Sequence, residues 1–116
     1  MSDFMEMTEQ ALRLRKPKRV VDRKLLARVR KQACCVCGKE PPPSNDASHI
    51  LTRGAGNPDI AVNVVSHCRG HHVEFGAVGP TKFFKRYPWF WTMLQQWGWT
   101  LENGKLRHPE ITKGTP

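Results

Sequence analysis

The chain has no apolar run approaching the length of a membrane span, which excludes a helical transmembrane anchor within it and any membrane partner of that kind. Its N-terminal residues contain no uninterrupted apolar core of the signal-peptide type, so the expectation is a protein that is not secreted. Carboxylates are scarce: 10 Asp and Glu stand against 19 Lys and Arg, for a formal charge of +9. The resulting pI of about 9.9 points to a polyanionic partner. Cysteine is missing outside one stretch, with all four residues at positions 34, 35, 37 and 68. Clustered in this way, and without an expectation of secretion, they argue for reduced thiolates and a cytoplasmic setting. Length is the last shortage. At 116 residues the chain makes one domain with a modest core, for which a structural metal is a useful staple.

What is present is concentrated in residues 34–76. Cys34 and Cys37 have the two-residue gap that lets two thiolates face one tetrahedral ion, and Cys68 and His71 repeat it. Zinc takes four such S/N ligands in closed structural sites, so these residues are expected to hold a structural Zn2+ as a Cys3His set. Pairing Cys35 with Cys37 would leave one residue between ligands, so Cys35 reads as a small packed side chain. Gly38 supplies the freedom that the tight turn after Cys37 needs. Between the two ligand pairs lie His49 and Asn63, and directly after them comes His72.

The coarse pattern places these residues. Asp22 caps a helix over residues 23–32, with Leu25, Leu26 and Val29 on one face. Its basic residues either track a nucleic-acid backbone or keep an ordinary amphipathic helix in water. Ahead of it, Arg13, Arg15, Lys16, Lys18 and Arg19 form a basic arm, read equally as a solvated terminus or a phosphate-binding arm. A short helix over residues 8–14 is stopped by Pro17. Residues 47–51 and 61–65 suit two short strands joined by a Gly/Pro-punctuated loop, which puts His49 on the first and Asn63 on the second. Cys68 and His71 then lead into a helix carrying His72 and Glu74.

A histidine, an asparagine and a histidine in that order, framed by paired zinc ligands, resemble the HNH (ββα-metal) endonuclease family. The residues closest to the small phage and prophage members are Ser48-His49-Ile50, Arg53-Gly54-Ala55-Gly56, Asn63-Val64 and Cys68 to Glu74. The resemblance covers residues 34–74 and, more loosely, extends to His108. It implies an α+β fold: a small zinc-stabilised, treble-clef-like ββα-metal core with flanking helices. It also implies metal-dependent hydrolysis of DNA phosphodiester bonds, in the host cytoplasm if the chain is phage-encoded. On this resemblance His49 is the general base and His72 binds a catalytic Mg2+ or Mn2+. Asn63 holds the loop in register, and Arg53 offers its planar fork to a phosphate. Family members often carry a metal-binding Asp or His just before the base, where this chain has Ser48. Asp46 is the replacement, provided that the strand begins after it. A second helix histidine, common four residues after the first, is Gly76 here, while Glu74 points elsewhere. His72 is also available as an alternative zinc ligand to His71.

In the C-terminal third, Gly79-Pro80 breaks the chain, and Pro80 and Pro88 open helices, the second running through Trp97 to Gly98. Asn103-Gly104 is a strong hairpin signal between residues 99–102 and 105–108. Trp89, Phe90, Trp91, Trp97 and Trp99 could stack on unpaired bases, but core packing is the favoured reading. His108 reads as incidental. The division is a basic arm over residues 1–21, one domain over 22–108 with its core at 34–76, and a tail over 109–116. Two further functions compete with the nuclease: a non-catalytic zinc-stabilised DNA-binding module, for which Ser48 and Gly76 argue, and a zinc-containing protein adaptor.

Overall fold

The computed structural model describes residues 19–112. The helix expected over residues 8–14, most of the basic arm and the end of the tail lie outside these residues. The first helix, α1 (Arg23–Arg30), starts where Asp22 caps it: the carboxylate accepts the Leu25 N–H at 3.0 Å. Leu25, Leu26 and Val29 are buried and form a small cluster with Val64, against which Ala47 packs. The charged residues of α1 stay in solvent.

Strands β1 (Asp46–His49) and β2 (Val64–His67) pair antiparallel, with Asp46 opposite His67 and His49 opposite Val64. Both differ from the expected spans. β1 begins at Asp46, not after it, and residues Ala61–Asn63 form a 3-10 turn ahead of β2. At the loop ends of the strands, Asn63 is the physical reason. Its buried side chain accepts the Leu51 N–H at 2.8 Å and donates to Leu51 O at 3.1 Å and Pro58 O at 3.0 Å. One amide thus takes over the hydrogen bonds that a longer ladder would have made, and it closes the loop over residues 51–58.

β2 is buried along its whole length because both its faces are covered. Val64 faces α1, and the Ser66 hydroxyl on the same face donates to Gln32 O at 2.9 Å. Val65 belongs to the main core, and His67 on that face lies among phenylalanine rings.

Helices α2 (Arg69–Val78), α3 (Pro80–Arg86) and α4 (Pro88–Gln96) follow, the last two each opened by a proline. Gly79, at φ +82°, ends α2 in a conformation that other residues adopt only with strain. The hairpin β3 (Thr100–Glu102) and β4 (Lys105–Arg107) turns at Asn103 and Gly104, both with positive φ as a two-residue turn requires. A single helical turn, α5 (Pro109–Thr112), closes the described chain.

The main core is aromatic: Phe75, Phe83, Phe84, Phe90 and Trp99 are buried together with Leu94. The core reading therefore holds for Phe90 and Trp99, and for Trp91, which stacks on Phe84 at 4.5 Å. It does not extend to Trp89 and Trp97, which are exposed, Trp89 by 56%. His108 is not incidental. It is buried against Trp99, its Nε2–H donates to Trp97 O at 2.7 Å, and its Nδ1 accepts the Glu110 N–H at 3.1 Å. That pairing anchors α5 where a frayed tail was expected. The fold is small α+β with two separate two-stranded antiparallel sheets. Among the described residues, no helix is long and apolar enough to cross a membrane.

Candidate metal centre and adjoining cleft

The knuckle over residues 34–38 is shaped by its own backbone. Gly38, at φ +77°, donates its N–H to Cys34 O at 2.8 Å, and the Val36 N–H points at Cys34 Sγ at 3.4 Å. Cys68 stands at the start of α2, and His71 follows within the first turn. The four expected ligand atoms, from Cys34, Cys37, Cys68 and His71, all lie within 4.8 Å of one another. His71 Nδ1 is 3.2 Å from Cys68 Sγ and 3.8 Å from Cys34 Sγ, and the sulfurs of Cys37 and Cys68 are 3.9 Å apart.

A tetrahedral zinc ion has edges of about 3.8 Å between two sulfurs and about 3.5 Å between sulfur and nitrogen. The set therefore fits a zinc ion, and all its cysteines are free thiols. Burial pushes the Cys34 thiol up, but the N–H groups of Cys37, Cys68 and Val36 and the His71 ring outweigh it and bring the pKa down to about 6. A thiolate is the form that a metal binds. Cys35 is outside the set. Burial first, then the neighbouring Cys34 charge, pushes its thiol up to about 12.

Behind the zinc ligands, Tyr87 stands edge-on to His71 at 5.1 Å. Glu74 accepts the Tyr87 hydroxyl at 2.7 Å and Arg86 at 2.6 Å, so it points away from the cleft as expected.

His71 and His72 are neighbours on α2, about 100° apart around its axis. His72 consequently faces away from the zinc set, into a cleft of about 310 Å3 that it shares with His49, Arg30 and Arg53. A hollow of about 400 Å3 continues from the cleft along α1, lined by Arg23, Arg30 and Arg53. These three arginines are exposed, and none forms an ion pair with a described residue.

The strand pleat sets the rest of the site. Ala47 and His49 face α1, whereas Asp46 and Ser48 face the aromatic core and α2. Asp46 and His49 are thus on opposite faces of a strand that includes Asp46, contrary to the expected start. His72 nonetheless reaches Asp46, with Nδ1 2.9 Å from Oδ2, and Arg69 Nε approaches the same oxygen at 3.4 Å. One carboxylate and one imidazole suit an exchangeable divalent ion that keeps most of its water, not a closed site. Among the described residues, only the Cys3His set brings three or more such ligand groups together. Asn63 does not reach the cleft chemistry. Its bonds go to Leu51 and Pro58.

Two residues went unnoticed in the sequence. Asp59, 1% exposed, lies 2.7 Å from His49 Nε2 and 2.5 Å from Arg19 Nη1, and its second oxygen accepts the Asp22 N–H at 3.0 Å. Burial works to raise its pKa, but the hydrogen bonds from His49, Asp22 and Arg19 and the Arg19 charge win and hold it at about 2. The one available signal was a carboxylate following Pro58 in a chain poor in them.

His67 is fully buried, with both ring nitrogens unpartnered and the rings of Phe75, Phe83 and Phe90 at 5.1 to 5.7 Å. Burial first, then the charges of His72 and His71, pushes its pKa down to about 4, so it is a neutral ring. Ser48 Oγ is likewise buried without a partner. The chain matches no protein-family model, no curated protein and no solved structure.

Proposed function

We propose that the chain is a zinc-stabilised, metal-assisted endonuclease of the HNH type, phage-related, that hydrolyses DNA phosphodiester bonds. The observation that carries this reading is the cleft. His49 from β1 and His72 from α2 line it together with two arginines that form no ion pair with a described residue. A neutral imidazole positioned beside the attacking water can take its proton, and His49 has that role. Arg30 and Arg53 offer charge to the phosphate, and the Arg23 hollow extends the basic track along the backbone. Asn63 positions the loop that follows His49 by clamping Leu51 to Pro58. When bound by Asp46 and His72, a divalent cation such as Mg2+ or Mn2+ supplies positive charge for the phosphate and the departing oxygen.

The test is nicking of supercoiled plasmid by the zinc-loaded chain with and without Mg2+ or Mn2+, alongside His49→Ala. Metal-dependent nicking that His49→Ala lowers by about 10²- to 10⁴-fold supports the reading. A wild-type protein that cuts no duplex, single-stranded or branched DNA with either ion overturns it. One observation favours a second reading: Asp46 and His72 satisfy each other, and among the described residues no third ligand group joins them. On that reading the chain is a non-catalytic zinc-stabilised DNA-binding module, and it binds DNA without cutting it.

A further inference from the structure

We propose that Asp59 is the positioning residue for His49, held by the segment that precedes α1, and that it leaves Nδ1 of His49 to accept the proton. This rests on His49 being the base of the proposed hydrolysis and extends it to a buried carboxylate in the loop that also carries Arg53. The argument starts from the Asp59 carboxylate. Its Oδ1 accepts from Arg19 Nη1 at 2.5 Å and lies 2.7 Å from His49 Nε2, while its Oδ2 accepts the Asp22 N–H at 3.0 Å. The side chain has no solvent exposure. A carboxylate in that setting is ionised and has no hydrogen to give, so the hydrogen between it and His49 belongs to Nε2.

A neutral imidazole with its hydrogen on Nε2 has its lone pair on Nδ1. His49 lines the cleft, and no described residue bonds to its Nδ1. When Nδ1 takes the proton from the attacking water, the new P–O bond forms and the bond to the departing oxygen breaks. The imidazolium is then stabilised by Asp59, which itself stays unprotonated. A carboxylate that fixes tautomer and orientation behind a catalytic imidazole is a recurrent device on unrelated folds.

The anchoring explains why this loop residue is held so firmly. The Asp59 N–H donates to Val20 O at 2.9 Å, and Arg19 also reaches Asn57 O at 3.4 Å. Residues 19–22 therefore hold the loop through its backbone as well as through the Asp59 side chain. A purely structural staple would need Arg19, Val20 and Asp22, but it would not need the short contact to His49.

The test uses the full zinc-loaded chain, 15N-labelled. A two-bond 1H–15N spectrum of wild type should show His49 with its hydrogen on Nε2. Asp59→Asn keeps the shape but can turn an amide N–H toward Nε2, so the hydrogen should move toward Nδ1. In plasmid nicking, kcat should fall by about 10²- to 10⁴-fold. KM for DNA and zinc content should stay within about twofold, and Asp59→Glu should recover part of kcat. Wild-type His49 with its hydrogen on Nδ1 overturns the proposal without any variant. So does Asp59→Asn with kcat within about threefold of wild type. If wild type cuts no DNA, the nuclease reading fails by itself, and the wild-type tautomer still decides whether Asp59 orients His49.

Discussion

Gly76 offers the sharpest perturbation. It lies in α2 one helical turn after His72, is exposed, and a Cβ built there meets nothing within 4 Å. Its φ is not positive, and α2 continues beyond it to end at Gly79, which is the residue at φ +82°. A side chain at position 76 therefore meets neither a steric nor a backbone barrier. Gly in a helix interior costs about 1 kcal/mol relative to Ala, and His costs about 0.6 kcal/mol, so Gly76→Ala should stabilise by about 0.5–1 kcal/mol and Gly76→His by about 0.4 kcal/mol. Side chains four apart lie about 5–6 Å from each other on one helix face, which brings the new imidazole beside His72 as a third donor for the Asp46–His72 pair. A gain of about 1.4 kcal/mol in metal binding is a tenfold shift, so the Mn2+ concentration for half-maximal nicking should fall by about tenfold or more. Denaturant unfolding and a Mn2+ titration of plasmid nicking read the two effects separately. Gly79→Ala serves as the contrasting control and should lose about 1–2 kcal/mol. The reasoning is refuted if Gly76→His is less stable than wild type, or if Gly76→Ala moves the metal midpoint as far as Gly76→His does.

Elemental analysis should find one zinc per chain, and Cys68→Ser should remove it and lower stability, whereas Cys35→Ser should retain it. Against its burial, the hydrogen bonds from His49, Asp22 and Arg19 hold the Asp59 carboxyl at about 2, below its ordinary 3.8, so its contribution is fully present above pH 4 and lost as pH falls through 2. The loss is on the order of 2 kcal/mol, and urea midpoints of wild type and Asp59→Asn should converge toward pH 2. Arg30→Gln and Arg53→Gln should each make the slope of log DNA affinity against log salt shallower by about 0.9. Slopes equal to wild type would remove these arginines from the DNA interface. His72→Ala should lose nicking that higher Mn2+ partly restores, as His49→Ala should not.

The parts legible in the sequence are those that short-range chemistry specifies. A tetrahedral ion imposes its ligand spacing, so Cys34, Cys37, Cys68 and His71 could be grouped before any fold was known, and the structure brings them together. Asp22 with Leu25, Leu26 and Val29 marked α1, and Asn103-Gly104 marked the hairpin, because caps and two-residue turns are local. The strand limits were not legible, since one buried amide, Asn63, replaces ladder bonds that the residue pattern alone would extend. Asp59 was missed because Arg19 is 40 residues away and His49 10 residues away in the chain. His67 and His108 look alike in the sequence and differ only in surroundings. One lies among phenylalanine rings with no hydrogen-bond partner among the described residues, and the other bonds to Trp97 O and the Glu110 N–H.

Among the described residues Trp89 is the most exposed of the large aromatic rings, yet its indole N–H donates to Val36 O at 2.9 Å. That carbonyl sits in the knuckle between Cys34 and Cys37, and the same indole stands against Tyr87, whose ring meets His71. The protein thus has a native fluorophore linked to its candidate zinc site through the knuckle backbone and through Tyr87. Trp99 is sealed in the core, Trp91 is stacked on Phe84, and Trp97 is 36% exposed at the end of α4, so Trp97→Phe isolates the Trp89 signal from the other exposed indole. Opening of the knuckle releases the indole to water and changes its emission, so zinc occupancy can be followed optically in the unlabelled chain.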